Sequence, residues 1–437
     1  MNALTFSTAI STGRVELVNV RQRSLFTARF RVLWVVLAFA AVALLALLRI
    51  CWLGLVQSAP QQATMAEALL PPRGEIVDRN GVPLARAFPA YALWYDPKAL
   101  GDGGAPLVKP PAEVARELVA IFPDMDVKWL TARLASGKAG YLRRRVLPEE
   151  ANRVHAIGEL ALEMPQETDR QYPQGSMAAH VLGFIGSDGH GRVGMEAALD
   201  KQLLDPARRG QPSVLSIDSR VQGALEDELR RGMLLVDAKG AAGIVLDVDT
   251  GEVMALASLP EFDPNQIDAQ GQKDMFNRVT NQVYELGSTF KPLTVAAAID
   301  NGTVTDLSRR YPAANLHIDG FTIHDDENLG PSLNVPEMLI HSSNIVAAQV
   351  ADELGGKAFQ RTLIALGMNQ RPPIELPARG FPIWHNGDWP RLRTMTIGFG
   401  HGIAVTPLHL ANAYAALVNG GIWRPATLLK LGPNQVP

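Results

Sequence analysis

Val32 to Leu48 is a run of 17 residues without a charge, and it limits the possible folds of this chain more than any other feature. Arg49 interrupts the run, and apolar character resumes from Ile50 to Val56. Together, residues 32–56 are long enough for one spanning helix of about 20 residues or slightly more. Arg49 would sit near one end, where its side chain can snorkel to the headgroups. Trp34 and Trp52 lie near the two ends, as interfacial anchors often do. Residues 1–31 carry Arg14, Arg21, Arg23, Arg29 and Arg31 against one acid, Glu16. That bias puts the N-terminal tail in the cytoplasm and everything after Val56 outside. Three other readings fit less well. A cleaved signal peptide would be shorter and closely followed by an A-x-A site. A lipid-modified Cys51 would need a small residue where Ile50 stands, and a buried core helix would not need the arginine asymmetry.

The remaining length of the 437-residue chain suffices for two or three domains. A formal net charge of -3 with no basic stripe argues against nucleic-acid binding. Cys51 is the only cysteine, so there is no internal disulfide framework. The nine histidines are scattered, without an H-x-x-x-H pair. The carboxylates beside His324 (Asp325, Asp326 and Glu327) suit a solvated loop better than a metal site, because no further ligand cluster accompanies them. No metal or other cofactor is expected.

Past a polar, alanine-rich stalk at 57–69, Arg73 to Ala85 predicts a short strand, an Asn80-Gly81 turn and a second strand. Residues 101–112 predict a Gly/Pro-rich loop, and 112–153 a mostly helical stretch whose Arg143, Arg144 and Arg145 form a solvated face. The glycine-rich stretch from Arg170 to Glu196 lacks the strand–GxxxxGK[ST]–helix order of a phosphate loop, so its glycines are expected to make tight turns at a domain junction. Val214 to Asp218 predicts a strand leading into a helix over 221–233. Ala241–Val248 and Glu252–Ala257 predict a hairpin around Asp249-Thr250-Gly251. Strands followed by a helix-rich middle imply an α/β or α+β layer domain from about residue 212 onward.

The candidate chemistry lies in that last region. Ser288 and Lys291 form the only S-x-x-K in the chain, and the apolar run Leu293 to Ile299 behind them predicts a helix. At this spacing a hydroxyl and an amine share a helix face. A neutral lysine could take the serine's proton, and the helix N-terminus would favour developing negative charge. Ser342 and Asn344 form an S-x-N 54 residues later. Such a serine can pass a proton between the lysine and a leaving group, while the amide can bind a substrate carbonyl or steady the lysine. A rival S-x-N at Ser332 and Asn334 is less attractive, because only the later motif precedes a long helical run, Ile345 to Leu354. The competing reading for Ser342 and Asn344 is simple helix capping.

S-x-x-K followed by an S-x-N-type motif belongs to penicillin-binding proteins and β-lactamases. The chain resembles class B penicillin-binding proteins, most of all the division-specific septal transpeptidases. The resemblance covers the N-terminal anchor, the R-G-x-I-x-D-R-N-G block at Arg73–Gly81, the block from Arg170 to Glu196, Asp247–Ala255, Phe262–Asn265, both catalytic motifs, and Gly398–Gly402 through Pro407.

It implies an α/β (α+β) fold: a cytoplasmic tail (1–31), a transmembrane helix (32–56), an elongated β-rich pedestal or dimerisation domain (57–211) and a β-lactamase-like transpeptidase domain (212–437). It implies a D,D-transpeptidase that crosslinks stem peptides, with Ser288 attacking the penultimate D-Ala carbonyl, Lys291 as base, Ser342 relaying protons and Asn344 orienting the peptide. β-Lactam antibiotics would acylate the same serine. Further partners would be a membrane glycosyltransferase and other divisome proteins, at the inner membrane of the septum, with the bulk of the chain periplasmic.

One motif of the family is absent: no K-T-G or K-S-G follows Ser288, and the only later lysines are Lys291, Lys357 and Lys430. The sequence reading therefore expects a chain truncated before that motif, and a 437-residue polypeptide that is inactive or very weak. The alternatives are a non-catalytic, membrane-anchored scaffold fragment and the cell-elongation paralogue.

Overall fold

The computed structural model describes residues 6–11, 14–56, 73–99, 107–267, 269–433 and 435. The chain divides into two units, between residues 68 and 69. In the first unit, Phe6–Ser11 and Arg14–Asn19 form an antiparallel hairpin that the sequence did not announce. A helix then runs from Val20 to Val56, starting before the apolar run itself. Its segment Arg29–Arg49 has a mean hydropathy of 2.6 and no buried share, and is long and apolar enough to cross a membrane. The stalk at 57–69 and residues 101–106 of the loop at 101–112 lie outside the described residues.

The second unit begins with a sheet organised by one long strand, Pro83–Tyr95. Its start pairs antiparallel with Ile76–Val77 across the expected Asn80-Gly81 turn, where Gly81 takes φ 85°. Gln166–Gln171 pairs along its middle, and Gly140–Val146 and Leu162–Glu163 along its far half. Ser213–Val214 adds a parallel strand beside Ile76–Val77. Leu93 and Tyr95 pack with Leu118, Phe122, Leu130 and Val154 into one core.

The predicted helical stretch at 112–153 needs correction. It holds helices Pro111–Ile121, Val127–Ala135 and Pro148–Ala156, but the arginine-rich part is the strand Gly140–Val146. Its arginines are each paired: Arg143 with Asp124, Arg144 with Glu167 and Arg145 with Asp169.

Beyond the sheet, helix Ser219–Leu235 packs on an antiparallel hairpin, Ala241–Leu246 with Val253–Leu259, close to its predicted limits. A second core joins Ile76, Leu84, Leu182 and Met195 to Leu215, Leu256, Val279 and Leu408. A third gathers Phe290 and Leu293 with Ala351, Phe359, Trp389 and Ile397. The latter fixes the helix that carries the lysine of the S-x-x-K motif.

The glycine-rich stretch closes around a buried ion cluster. Glu196 accepts from Arg73 Nε at 2.8 Å and from Arg170 Nε at 2.7 Å, and Arg73 also reaches Asp200 at 2.7 Å. Arg170 and Glu196 are fully buried, and Arg73 nearly so. Gly183 makes the tight passage possible: it sits at φ 71°, and a Cβ there would lie 2.0 Å from the carbonyl oxygen of Val193.

Candidate active site

Ser288 does not lie on the α-helix itself but in the 3-10 turn Gly287–Phe290 that feeds it; Lys291 is the first residue of helix Lys291–Asp300. The turn still brings the pair together, with Nζ of Lys291 3.0 Å from Oγ of Ser288. The serine is exposed and the lysine side chain is 1% exposed, so an open nucleophile stands over a buried base.

The S-x-N segment closes the site from the other side. Nζ of Lys291 is 2.9 Å from Ser342 Oγ and 2.9 Å from Asn344 Oδ1, and also meets the Ser342 carbonyl oxygen. Ser342 Oγ lies 2.8 Å from Ser288 Oγ. Four oxygens surround an amine. An ammonium has only three protons to donate, whereas a neutral amine has a lone pair that can accept from a hydroxyl. The crowding therefore favours a proton moving between Ser288 or Ser342 and the lysine. Burial lowers the Lys291 pKa to about 8 from 10.5, against the opposing pull of Asp325 and Asp326.

The structure separates the two S-x-N candidates. Asn334 is a helix cap: it accepts from Glu337 N and forms a capping box before helix Val335–His341. Ser332 pairs in a short strand with Tyr311–Pro312. The capping that competed for Ser342 and Asn344 falls instead to Ser343, which accepts from Val346 N. Ser342 takes a left-handed conformation, φ 58°, which few non-glycine residues adopt. This bend turns its hydroxyl toward the lysine.

Asp325, read from sequence as part of a solvated loop, is the residue that sequence reasoning missed. Its carboxylate accepts from Ser343 Oγ at 2.7 Å, Asn344 N at 2.6 Å and Ile345 N at 3.0 Å. A carboxylate at the N-terminus of helix Asn344–Leu354 satisfies amides that the helix leaves free. The acidic trio holds no group of metal-ligand geometry among the described residues. Asp325→Ala is expected to slow acylation of Ser288 about tenfold, by loosening a cap of this kind. It also removes a charge that raises the Lys291 pKa, so the pH midpoint of acylation should move down. A pH series of acylation rates checks both, and an unmoved midpoint would contradict the electrostatic part.

Gly400 supplies the floor. Gly287 N donates to its carbonyl at 3.1 Å, and a Cβ at Gly400 would lie 2.0 Å from the Gly287 oxygen. Gly400 also needs its φ of 86°. Tyr284 and Val405 bridge the same two segments through paired backbone bonds of 2.9 and 3.0 Å. The serine's turn is thus held from below by main chain.

Comparison with known proteins gives two family matches. The penicillin-binding protein dimerisation domain matches residues 68–231, and the penicillin binding protein transpeptidase domain matches residues 241–433. A probable peptidoglycan D,D-transpeptidase FtsI of Caulobacter vibrioides is 36% identical over 392 residues, covering 88% of this chain and 64% of that protein. The peptidoglycan D,D-transpeptidase FtsI of Escherichia coli is 29% identical over 422 residues, covering 88% of this chain and 70% of that protein. A crystal structure of penicillin binding protein 3 from Mycobacterium tuberculosis, complexed with aztreonam, superposes with a TM-score of 0.61 at 23% identity, covering 84% of this chain and 68% of that one. The chain therefore spans about two thirds of the length of these relatives.

Proposed function

The chain belongs to the class B penicillin-binding proteins, with their dimerisation and transpeptidase domains in order, and on that premise we propose that it is a membrane-anchored, serine-type peptidoglycan D,D-transpeptidase. The observation that carries the reading is the contact of Lys291 Nζ with Ser288, Ser342 and Asn344 at 2.9–3.0 Å around a buried amine. The N-terminal helix serves as the anchor, residues 57–211 as the pedestal and 212–437 as the transpeptidase domain.

In this reading Ser288 Oγ attacks the penultimate D-Ala carbonyl of a stem peptide as its proton passes to neutral Lys291. The C–N bond to the terminal D-Ala then breaks, and the departing amine takes that proton back through Ser342. Asn344 steadies the lysine through Oδ1 and orients the donor peptide. An amine of a neighbouring strand attacks the resulting ester, loses its proton through the same lysine, and frees Ser288 with a new amide bond. A β-lactam follows the first half of this course and stops at the ester. A division role at the septum, beside a membrane glycosyltransferase and other division proteins, is the cellular setting that the likeness supports; mid-cell rather than lateral-wall location of a fluorescent fusion tests it.

The chemical test is covalent capture of a fluorescent penicillin. The 437 residues contain no Lys-Thr/Ser-Gly after Ser288. In the family that motif's strand supplies part of the oxyanion hole, and removing one oxyanion donor costs about 10² to 10³ in rate, so capture by these 437 residues alone is expected to be slow. The label should map to Ser288, vanish in Ser288→Ala, and form faster as pH rises through about 8, because only the neutral amine acts as a base. Label on another residue, or a rate that falls over that range, overturns the reading.

A further inference from the structure

The turn that presents Ser288 has few means of holding its own shape. It opens at Gly287, whose φ of 57° lies where a residue without Cβ is least constrained. It is followed by Pro292, which has no N–H to return to the Ser288 carbonyl, so that oxygen accepts from Lys291 N instead. Thr289 adds one internal bond, from its Oγ1 to the Leu286 carbonyl at 2.7 Å. Ser288 itself is exposed and takes no grip from a core.

The segment after Gly400 braces this turn at two points. Val405 pairs with Tyr284 through the backbone, on the N-terminal side of the serine. Thr406 then caps helix Pro407–Val418, which returns the chain to the other side. There Tyr414 donates its hydroxyl to the Thr289 carbonyl at 2.7 Å. Its ring packs against the core that holds Phe290 and Leu293. The start of the helix is fixed in turn: Leu408 N donates to the Val279 carbonyl, and His409 Nε2 lies 2.7 Å from the Gln370 carbonyl oxygen. Among the described residues, Tyr414 is the only side chain from another element that bonds to the main chain of Gly287–Phe290.

We propose that Tyr414 is a positioning residue for Ser288: its hydroxyl pins the far side of the turn and so keeps the serine Oγ 3.0 Å from Lys291 Nζ and 2.8 Å from Ser342 Oγ. The inference rests on the transpeptidase reading and adds to it a residue outside both motifs. The tie acts through placement, since the phenol bonds to a peptide carbonyl and not to the reacting hydroxyl or the amine. Burial raises the Tyr414 pKa, so the phenol keeps its proton across the range in which Lys291 titrates. Thr289 is exposed, so solvent can take over at its carbonyl once the hydroxyl is gone. The fold then loses little. A water molecule does not hold the peptide in place, however, and small misplacements of reacting groups are costly in rate.

Tyr414→Phe removes the hydroxyl and keeps the ring. Capture of a fluorescent penicillin by the 437-residue chain should be about fivefold slower in this variant, the scale of one hydrogen bond. The final fraction of protein labelled should match the wild type, and the thermal midpoint should stay within about 2 °C. The pH midpoint near 8 should also stay, because the tie does not touch the lysine. A wild-type rate in Tyr414→Phe overturns the proposal. So does a smaller labelled fraction reached at full speed, which reports partial unfolding, or a shifted pH midpoint, which reports an electrostatic role. Mapping the label separates the failures. Wild-type label on Ser288 at a rate that Tyr414→Phe equals removes the tie alone, whereas no wild-type label on Ser288 removes the transpeptidase reading and the tie with it.

Discussion

Lys291→Met is expected to reduce penicillin capture at Ser288 to background while leaving a folded protein of raised stability. Among the described residues, the lysine amine is the only base within hydrogen-bond reach of the Ser288 hydroxyl, so its loss should cost about 10² to 10⁴ in rate. The stability effect runs the other way because the amine is buried. Its folded-state pKa of about 8 lies below the ordinary 10.5, so the unfolded chain binds more protons between those values and stability rises with pH across that window. Below pH 8 the cost of burying a charge is fully present. Methionine fills similar space without charge, so the gain should be largest at pH 7 and shrink toward pH 10. Thermal unfolding at several pH values, alongside fluorescent penicillin labelling, reads both effects. A variant that captures penicillin at the wild-type rate would remove Lys291 from the chemistry.

The second large effect lies far from the nucleophile. Glu196→Ala is expected to cost about 3–5 kcal/mol, because it leaves the charges of two buried arginines without their shared partner. Arg73 keeps Asp200 and the backbone carbonyls of Gly189 and residue 196, but among the described residues Arg170 keeps only the Gly74 carbonyl. For a unit of this size the midpoint of thermal unfolding should fall by on the order of 10 °C. Glu196→Gln retains an acceptor oxygen and should lose less. An alanine variant that melts with the wild type would show that the cluster is not a structural joint.

Much of the fold near the site was legible in local pattern. The Asn80-Gly81 turn and the hairpin around Asp249-Thr250-Gly251 carry their turn residues in the sequence, and both form as expected. Ser288, Lys291, Ser342 and Asn344 were readable from residue type and spacing, and they converge on one amine.

What stayed hidden depends on contacts between distant segments. Gly140–Val146 gave no period-2 signal, because Arg145 sits at φ 57° and the pairing with Pro83–Tyr95 shifts register. Its strand character comes from a partner some 50 residues away. Asp325 is one carboxylate in an acidic trio until helix Asn344–Leu354 presents its amides to it. Gly400 looks like any loop glycine until its carbonyl is seen to meet Gly287.

That last contact bears on how such a protein can diversify. The reactive hydroxyl is seated by peptide groups of two crossing loops, Gly287 against Gly400 and Tyr284 against Val405. Side chains around the site, the Tyr414 tie apart, can therefore change while the attacking oxygen keeps its aim, because that aim is set by peptide groups.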